Sequence, residues 1–351
     1  MRFLLCLLIH LLHIPTKAFP SPQLRNHHSF NWDTTDSLIA FGDSYTYVQG
    51  TLGHVNSTFI GDLQNLVFTS SQLLSDLIVQ NQIGTAEGGP NWVQYLTQCG
   101  LKPGLTKLKE CKVQLWDFAF GGADVSEEFT PLHHNYTVSL EKQVEQFLDY
   151  GDPVLSTFLD KSKALVTSWI GINDIGDSAK YNVSFPGFYD KLQARHFEFI
   201  DSIYARGYKN FLLMNLPPLN RRPGLVFSPN PSVNATMIQW WNSALQSHAT
   251  AFSNSHSDVE VMVFDVNKVL NGVLDEAEKW GFKNTTGYCT AYNQPDILTD
   301  PGKYGCLPQK EYFWFNTGHL TWRTHEVLTG FLREFLEGRG KSENSSVQDM
   351  E

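Results

Sequence analysis

Apolar residues come along the chain in short blocks of four to seven, each closed by glycine, asparagine, aspartate or proline. A short apolar run bounded by turn formers is the pattern of a strand buried on both faces. Five such blocks predict strands over residues 38–41, 113–119, 164–170, 210–214 and 259–264. Between them the apolar positions change to helical spacing. Leu140, Val144, Phe147 and Leu148 predict an amphipathic helix, and residues 188–206 a long one stopped at Gly207. Residues 234–252 and 322–336 read the same way, and 90–96 reads as a helix with proline in its first turn. Strand–helix alternation of this kind predicts a parallel sheet with helices on both faces, in a single domain. Two stretches interrupt it. Residues 48–89 read as a long polar loop with one helical patch near 73–79, and residues 281–310 read as loop.

Both ends stand outside the pattern. Met1-Arg2 is followed by an apolar run over 3–12, broken by His10, and then by a small residue at Ala18. This is the layout of a secretory signal peptide, and the run is too short to span a bilayer. We therefore expect a signal peptide at 1–18, the domain at 19–338, a disordered polar tail at 339–351, and a secreted, extracellular protein. Asn-X-Ser/Thr acceptors at Asn56, Asn135, Asn182, Asn234, Asn284 and Asn344 fit glycosylation during export. Four cysteines remain after the signal peptide, and three connectivities are open to them. Proximity favours Cys99–Cys111 and Cys289–Cys306; a tetrathiolate zinc site would want the tighter C-x-x-C spacing. The formal charge of −10 gives no basic face for nucleic acid and no polybasic anchor for a membrane.

In a parallel sheet the carboxyl ends of the strands meet at one edge, where ligands bind. The residues just beyond those ends are polar and of few kinds: Ser44 after the first strand, Gly121-Gly122 after the second, Asn173 after the third, with His319 in the loop before the last helix. These are the parts of acyl transfer. A serine hydroxyl attacking a carbonyl needs a base, a neutral imidazole can serve as one, and the resulting oxyanion needs N–H donors.

Read as blocks, Phe41-Gly42-Asp43-Ser44-Tyr45-Thr46, Phe118–Ala123, Gly171-Ile172-Asn173-Asp174 and Asn316-Thr317-Gly318-His319 resemble, in order, the blocks of SGNH/GDSL-family hydrolases. Gly89–Leu96 and the late His319-Leu320-Thr321 with His325 are similar to fungal acetylesterases of carbohydrate esterase family sixteen, which deacetylate hemicellulose and its oligosaccharides. The resemblance implies a three-layer α/β/α sandwich with a five-stranded parallel sheet, flavodoxin-like in type. It implies Ser44 as nucleophile and His319 as base. Oxyanion donors would be the Ser44 N–H, the glycine at 122 (with 121 as fallback) and the Asn173 side chain. It implies an ester of a small molecule or oligosaccharide as substrate, with neither cofactor nor metal.

One position departs from the family pattern. Asn316 stands where an aspartate usually precedes the histidine by three residues. An amide oxygen can orient an imidazole but cannot offset its positive charge. Three outcomes are open: Asn316 orients His319, a backbone carbonyl does so, or the enzyme is slow. Two alternatives to the acetylesterase reading follow, a lipase or general carboxylesterase and a catalytically weak glycan-binding homologue. Asp43 and Asp174 are expected to hold loops, His325 to be structural, and His133-His134 to be polar surface. Trp314 and Phe315 either stack on a sugar or pack beneath the histidine loop.

Overall fold

In the computed structural model the described residues are 30–61, 67–226, 228 and 232–341. The proposed signal peptide, Asn344 and the tail beyond 341 lie outside them. Among the described residues, five of seven strands form one parallel sheet: β1 (Ser37–Gly42), β4 (Gln114–Asp117), β5 (Ala164–Trp169), β6 (Asn210–Met214) and β7 (Glu260–Phe264), in the order β4-β1-β5-β6-β7. All five occupy predicted blocks. β1, β5 and β6 are buried at every position, which explains why they read as mainly apolar runs rather than as alternating ones.

Helices cover both faces. Leu140–Gln146, Phe185–Tyr204 and Ala235–Ser255 pack together on one side; Trp92–Thr97, Val266–Asp275 and Trp322–Lys341 do so on the other. The fold is a three-layer α/β/α sandwich. The Phe185–Tyr204 helix buries Tyr189, Leu192, Phe199, Ile200 and Ile203 along one stripe. Gly207, at φ +96°, stops the chain just beyond it. Asn234 caps the next helix by accepting the Met237 N–H at 3.0 Å.

Four elements differ from the sequence reading. Residues 77–79 are not helical: Leu77–Gln80 is β2, pairing antiparallel with β3 (Gly104–Lys107) as a small separate sheet. Its alternating burial is a strand signature, and Asp76 ends the preceding Ser70–Ser75 turn of helix. β3 is nearly all exposed and carried no apolar signal. The Val266–Asp275 helix was not anticipated. Finally, the closing helix runs to Lys341, past the 338 boundary set for the domain.

The cysteines pair as proximity suggested, Cys99–Cys111 and Cys289–Cys306. Each pins a loop of 12 or 17 residues' separation, contributing roughly 2–4 kcal/mol in the chain-entropy picture. The second pair anchors a satellite cluster with Ile297 and Tyr312 beneath the 281–310 segment.

Candidate active site

The sheet order makes β1 the turning point, with the chain leaving to β4 on one side and to β5 on the other. Ligands in open α/β sheets bind at that switch point, beyond the strand ends. The register aligns the three ends: Phe120 N–H donates to Gly42 O at 3.1 Å, and Gly42 lies opposite Trp169. Ser44, Gly121, Gly122 and Asn173 therefore reach one cavity of about 330 Å³, which Gly318 and His319 complete.

Ser44 and His319 are 275 residues apart in sequence, yet His319 Nε2 sits 2.8 Å from Ser44 Oγ. The ring is held from its other side. Asn316 Oδ1 accepts the backbone N–H groups of Gly318 and His319, each at 2.9 Å, and lies 3.1 Å from His319 Nδ1. An atom already accepting two N–H bonds is the acceptor toward the third, so Nδ1 carries the ring proton and Nε2 turns a lone pair to the serine. Of the orienting groups left open by the sequence, the Asn316 amide is the one in contact. Tyr45 braces the loop, donating its hydroxyl proton to Gly318 O and packing edge-on against Trp169.

The donors are separable too. Gly121 N–H is spent on Ser57 O at 2.8 Å, whereas the N–H groups of Ser44 and Gly122 have no acceptor among the described residues. Gly122 has φ +84°, a conformation that side chains rarely take. Asn173 Nδ2 gives one proton to Ala123 O at 3.0 Å and keeps the other. Gly171 lets the chain turn tightly before Asn173: its φ is +110°, and a Cβ there would stand 2.1 Å from the Trp241 ring.

Burial sets the charge states. His319 is pushed down to about 4, first by burial and then by the charges of Arg222 and His133. Asp43 is pushed up to about 8 by burial, while its carboxylate oxygen accepts the Tyr45 N–H at 2.9 Å. Asp174 accepts the Val125 N–H at 3.0 Å and is also raised by burial, as is Asp124. Asp43 and Asp174 thus hold loops, as expected. His325 is fully buried behind Tyr45, their ring centroids 6.0 Å apart, and accepts the Trp92 N–H at 3.2 Å, tying two helices together. Trp314 and Phe315 are buried beneath the loop, which leaves no face for a sugar.

Sequence reasoning missed part of the cavity wall. His133 and His134, read as polar surface, line it beside Tyr47, Tyr136 and Arg222. His133 Nδ1 pairs with Asp177 at 2.8 Å, and this hydrogen bond raises its pKa. His134 stacks on Tyr136, which stacks on His54. Isolated residues in loops have no periodicity to reveal them. A larger groove of about 710 Å³ lies elsewhere, walled by amides such as Asn215, Gln239, Asn242 and Asn271. Among the described residues, no histidine lines it.

The profile of the GDSL-like Lipase/Acylhydrolase family matches residues 38–327, most of the chain and all of the loops just described. The chain belongs to that family. It is a carboxylic ester hydrolase of the GDSL/SGNH type. An acetylesterase of Thermothelomyces thermophilus is 24% identical over 296 residues, covering 82% of this chain and 83% of that one. The thermolabile hemolysin of Vibrio parahaemolyticus is 22% identical, covering 84% of this chain and 60% of the hemolysin. The solved extracellular lipase of Streptomyces rimosus superposes with a TM-score of 0.36 at 13% identity, covering 86% of this GDSL hydrolase and 99% of the lipase. No described helix is long and apolar enough to cross a membrane.

Proposed function

We propose that this GDSL hydrolase is a secreted serine acetylesterase that removes O-acetyl groups from hemicellulose oligosaccharides, similar in this to the acetylesterases of carbohydrate esterase family sixteen. The observation that carries the mechanism is the 2.8 Å contact between Ser44 Oγ and a His319 ring held by Asn316. Ser44 Oγ attacks the acetyl carbonyl carbon while His319 Nε2 takes its proton. The N–H groups of Ser44 and Gly122 and the free proton of Asn173 Nδ2 receive the oxyanion. His319 then protonates the leaving sugar oxygen, and water repeats the sequence on the acetyl-serine.

Several features support the substrate and the compartment. The cavity, about 330 Å³ and lined by polar side chains such as Asn56, Ser57 and Asn173, suits a short acyl group better than a long alkyl chain. The likeness to an acetylesterase points the same way. Two disulfides fit an oxidising compartment. Among the acceptors, Asn135, Asn182 and Asn234 are exposed and Asn284 is partly so, as glycosylation requires, whereas Asn56, also exposed, belongs to the cavity wall. The test is acetate release from acetylated xylo-oligosaccharides, alongside p-nitrophenyl acetate and palmitate. We expect acetate release and at least a hundredfold preference for the acetyl ester. A comparable rate on palmitate would favour the lipase reading instead.

Asn316 separates an enzyme from a glycan-binding descendant. A carboxylate in its place could accept the same three N–H groups and would add the charge that steadies the imidazolium. Asn316→Asp is expected to keep kcat or raise it by up to about tenfold, and to move the acid limb of the pH profile upward. A loss of a hundredfold or more would show that the amide has a part of its own beyond orientation.

A further inference from the structure

The chain has a formal charge of −10, yet no carboxylate among the described residues lines the Ser44 cavity. Its walls carry a guanidinium, Arg222, together with the imidazoles of His133, His134 and His319. Arg222 follows the Leu219–Arg221 turn in the loop leaving β6. Gly224 N–H donates to Thr317 O at 2.9 Å and clamps that loop to the histidine loop. A Cβ on Gly224 would stand 2.8 Å from the same carbonyl, so the clamp depends on glycine. Arg222 Nη1 is consequently fixed 3.7 Å from where a Cβ on Gly318 would stand, next to His319.

Its neighbour shows the contrast. Arg221 Nη1 donates to Asn271 Oδ1 and Asp275 Oδ1, each at 3.0 Å. The Arg222 side chain, half-buried, has no hydrogen bond or ion pair among the described residues. Withdrawing a guanidinium from water without a partner is unfavourable, and a carboxylate arriving with the substrate would reverse that cost through a bidentate contact. Across the nucleophile loop, the His133 ring stands 3.3 Å from where a Cβ on Gly122 would be, and Asp177 holds it toward the charged form. Burial drives the carboxyls that adjoin the site in sequence, Asp43, Asp124 and Asp174, toward the neutral form, so they cancel little of this charge.

We propose, building on the esterase reading above, that Arg222 forms a carboxylate subsite and that the preferred substrates are acidic esters. The carboxylate can belong to the alcohol, as in an acetylated uronic acid, or to the acyl group, as in the hemiester of a dicarboxylic acid. At long range an acidic chain repels such a ligand, so the contact acts by recognition at close quarters rather than by steering.

The experiment compares kcat/KM for matched pairs differing only in charge. One arm uses acetylated methyl glucuronide against its neutral methyl ester; the other uses p-nitrophenyl hemisuccinate against p-nitrophenyl methyl succinate. The wild type is expected to favour the acidic member at least tenfold in one arm, which identifies where the carboxylate sits. That ratio should fall at least tenfold in Arg222→Gln, be partly retained in Arg222→Lys, and shrink in the wild type between 0.05 and 0.5 M NaCl, roughly as screening over a few ångströms demands. The salt series requires no variant and stands even if Arg222→Gln folds poorly. Equal rates on both members of both pairs would overturn the subsite while leaving the esterase intact. A preference that survives in Arg222→Gln would remove Arg222 from it. Failure to hydrolyse any ester would strike the esterase reading itself.

Discussion

Ser44→Ala is expected to lower kcat/KM on acetyl esters by about 10⁴-fold or more, leaving only what the oxyanion donors and binding supply. Among the described residues the hydroxyl takes part in a single hydrogen bond, to His319 Nε2, so its removal should change stability by no more than about 1 kcal/mol. Chemistry and folding are therefore separable: circular dichroism and the melting temperature should match the wild type while acetate release disappears. Among the described residues His319 has no second hydroxyl partner at Nε2 that could substitute. Activity surviving within tenfold, in a protein still folded, would mean that another group attacks the ester and would refute the site as described.

The second large effect is on pH. A free imidazole titrates near 6.5, and a base of that kind would be only about 3% deprotonated at pH 5. His319 is pushed down to about 4 because burial, Arg222 and His133 all disfavour a further positive charge. The neutral ring is the working form, so lowering its pKa extends activity toward acid. kcat/KM should stay nearly flat from pH 7 to about 5 and fall with unit slope through about 4. At pH 5 this is roughly a thirtyfold difference from an unshifted base. Initial rates must be used, because stability falls on the same side. His196 and His325 are buried and pushed down to about 3, whereas in the unfolded chain they bind protons below about 6.5. An acid limb near 6.5 in initial rates would show that His319 is more freely hydrated than its contacts imply. Arg222→Gln, by removing one of the two repelling charges, should move the limb upward.

The reading from sequence succeeded where one residue's neighbours in the chain decide its surroundings. β1, β5 and β6 are buried on both faces, and burial of that kind leaves a mainly apolar run without alternation. Ser44, Gly122 and Asn173 directly follow strands, so locating the strands located them as well. The missed Val266–Asp275 helix was legible: Val266, Leu270, Val273 and Leu274 share one face, and Asp265 caps it by accepting the Lys268 N–H. Residues 77–80 show the opposite case. Three successive aliphatics suit helix or strand equally, and only pairing with the exposed β3 decides between them.

By itself the sequence determined the parallel α/β architecture and the order of the family blocks, and it favoured the two cysteine pairs that the structure shows, because each depends on local spacing or on proximity along the chain. Tertiary structure alone decided that Asn316 rather than a backbone carbonyl holds His319, and that Gly122 rather than Gly121 has an open N–H, since both turn on who accepts which proton. It also decided that His133 and Arg222 line the cavity. Those residues come from separate loops with no shared periodicity, and only the convergence of strand ends on one rim brings them together.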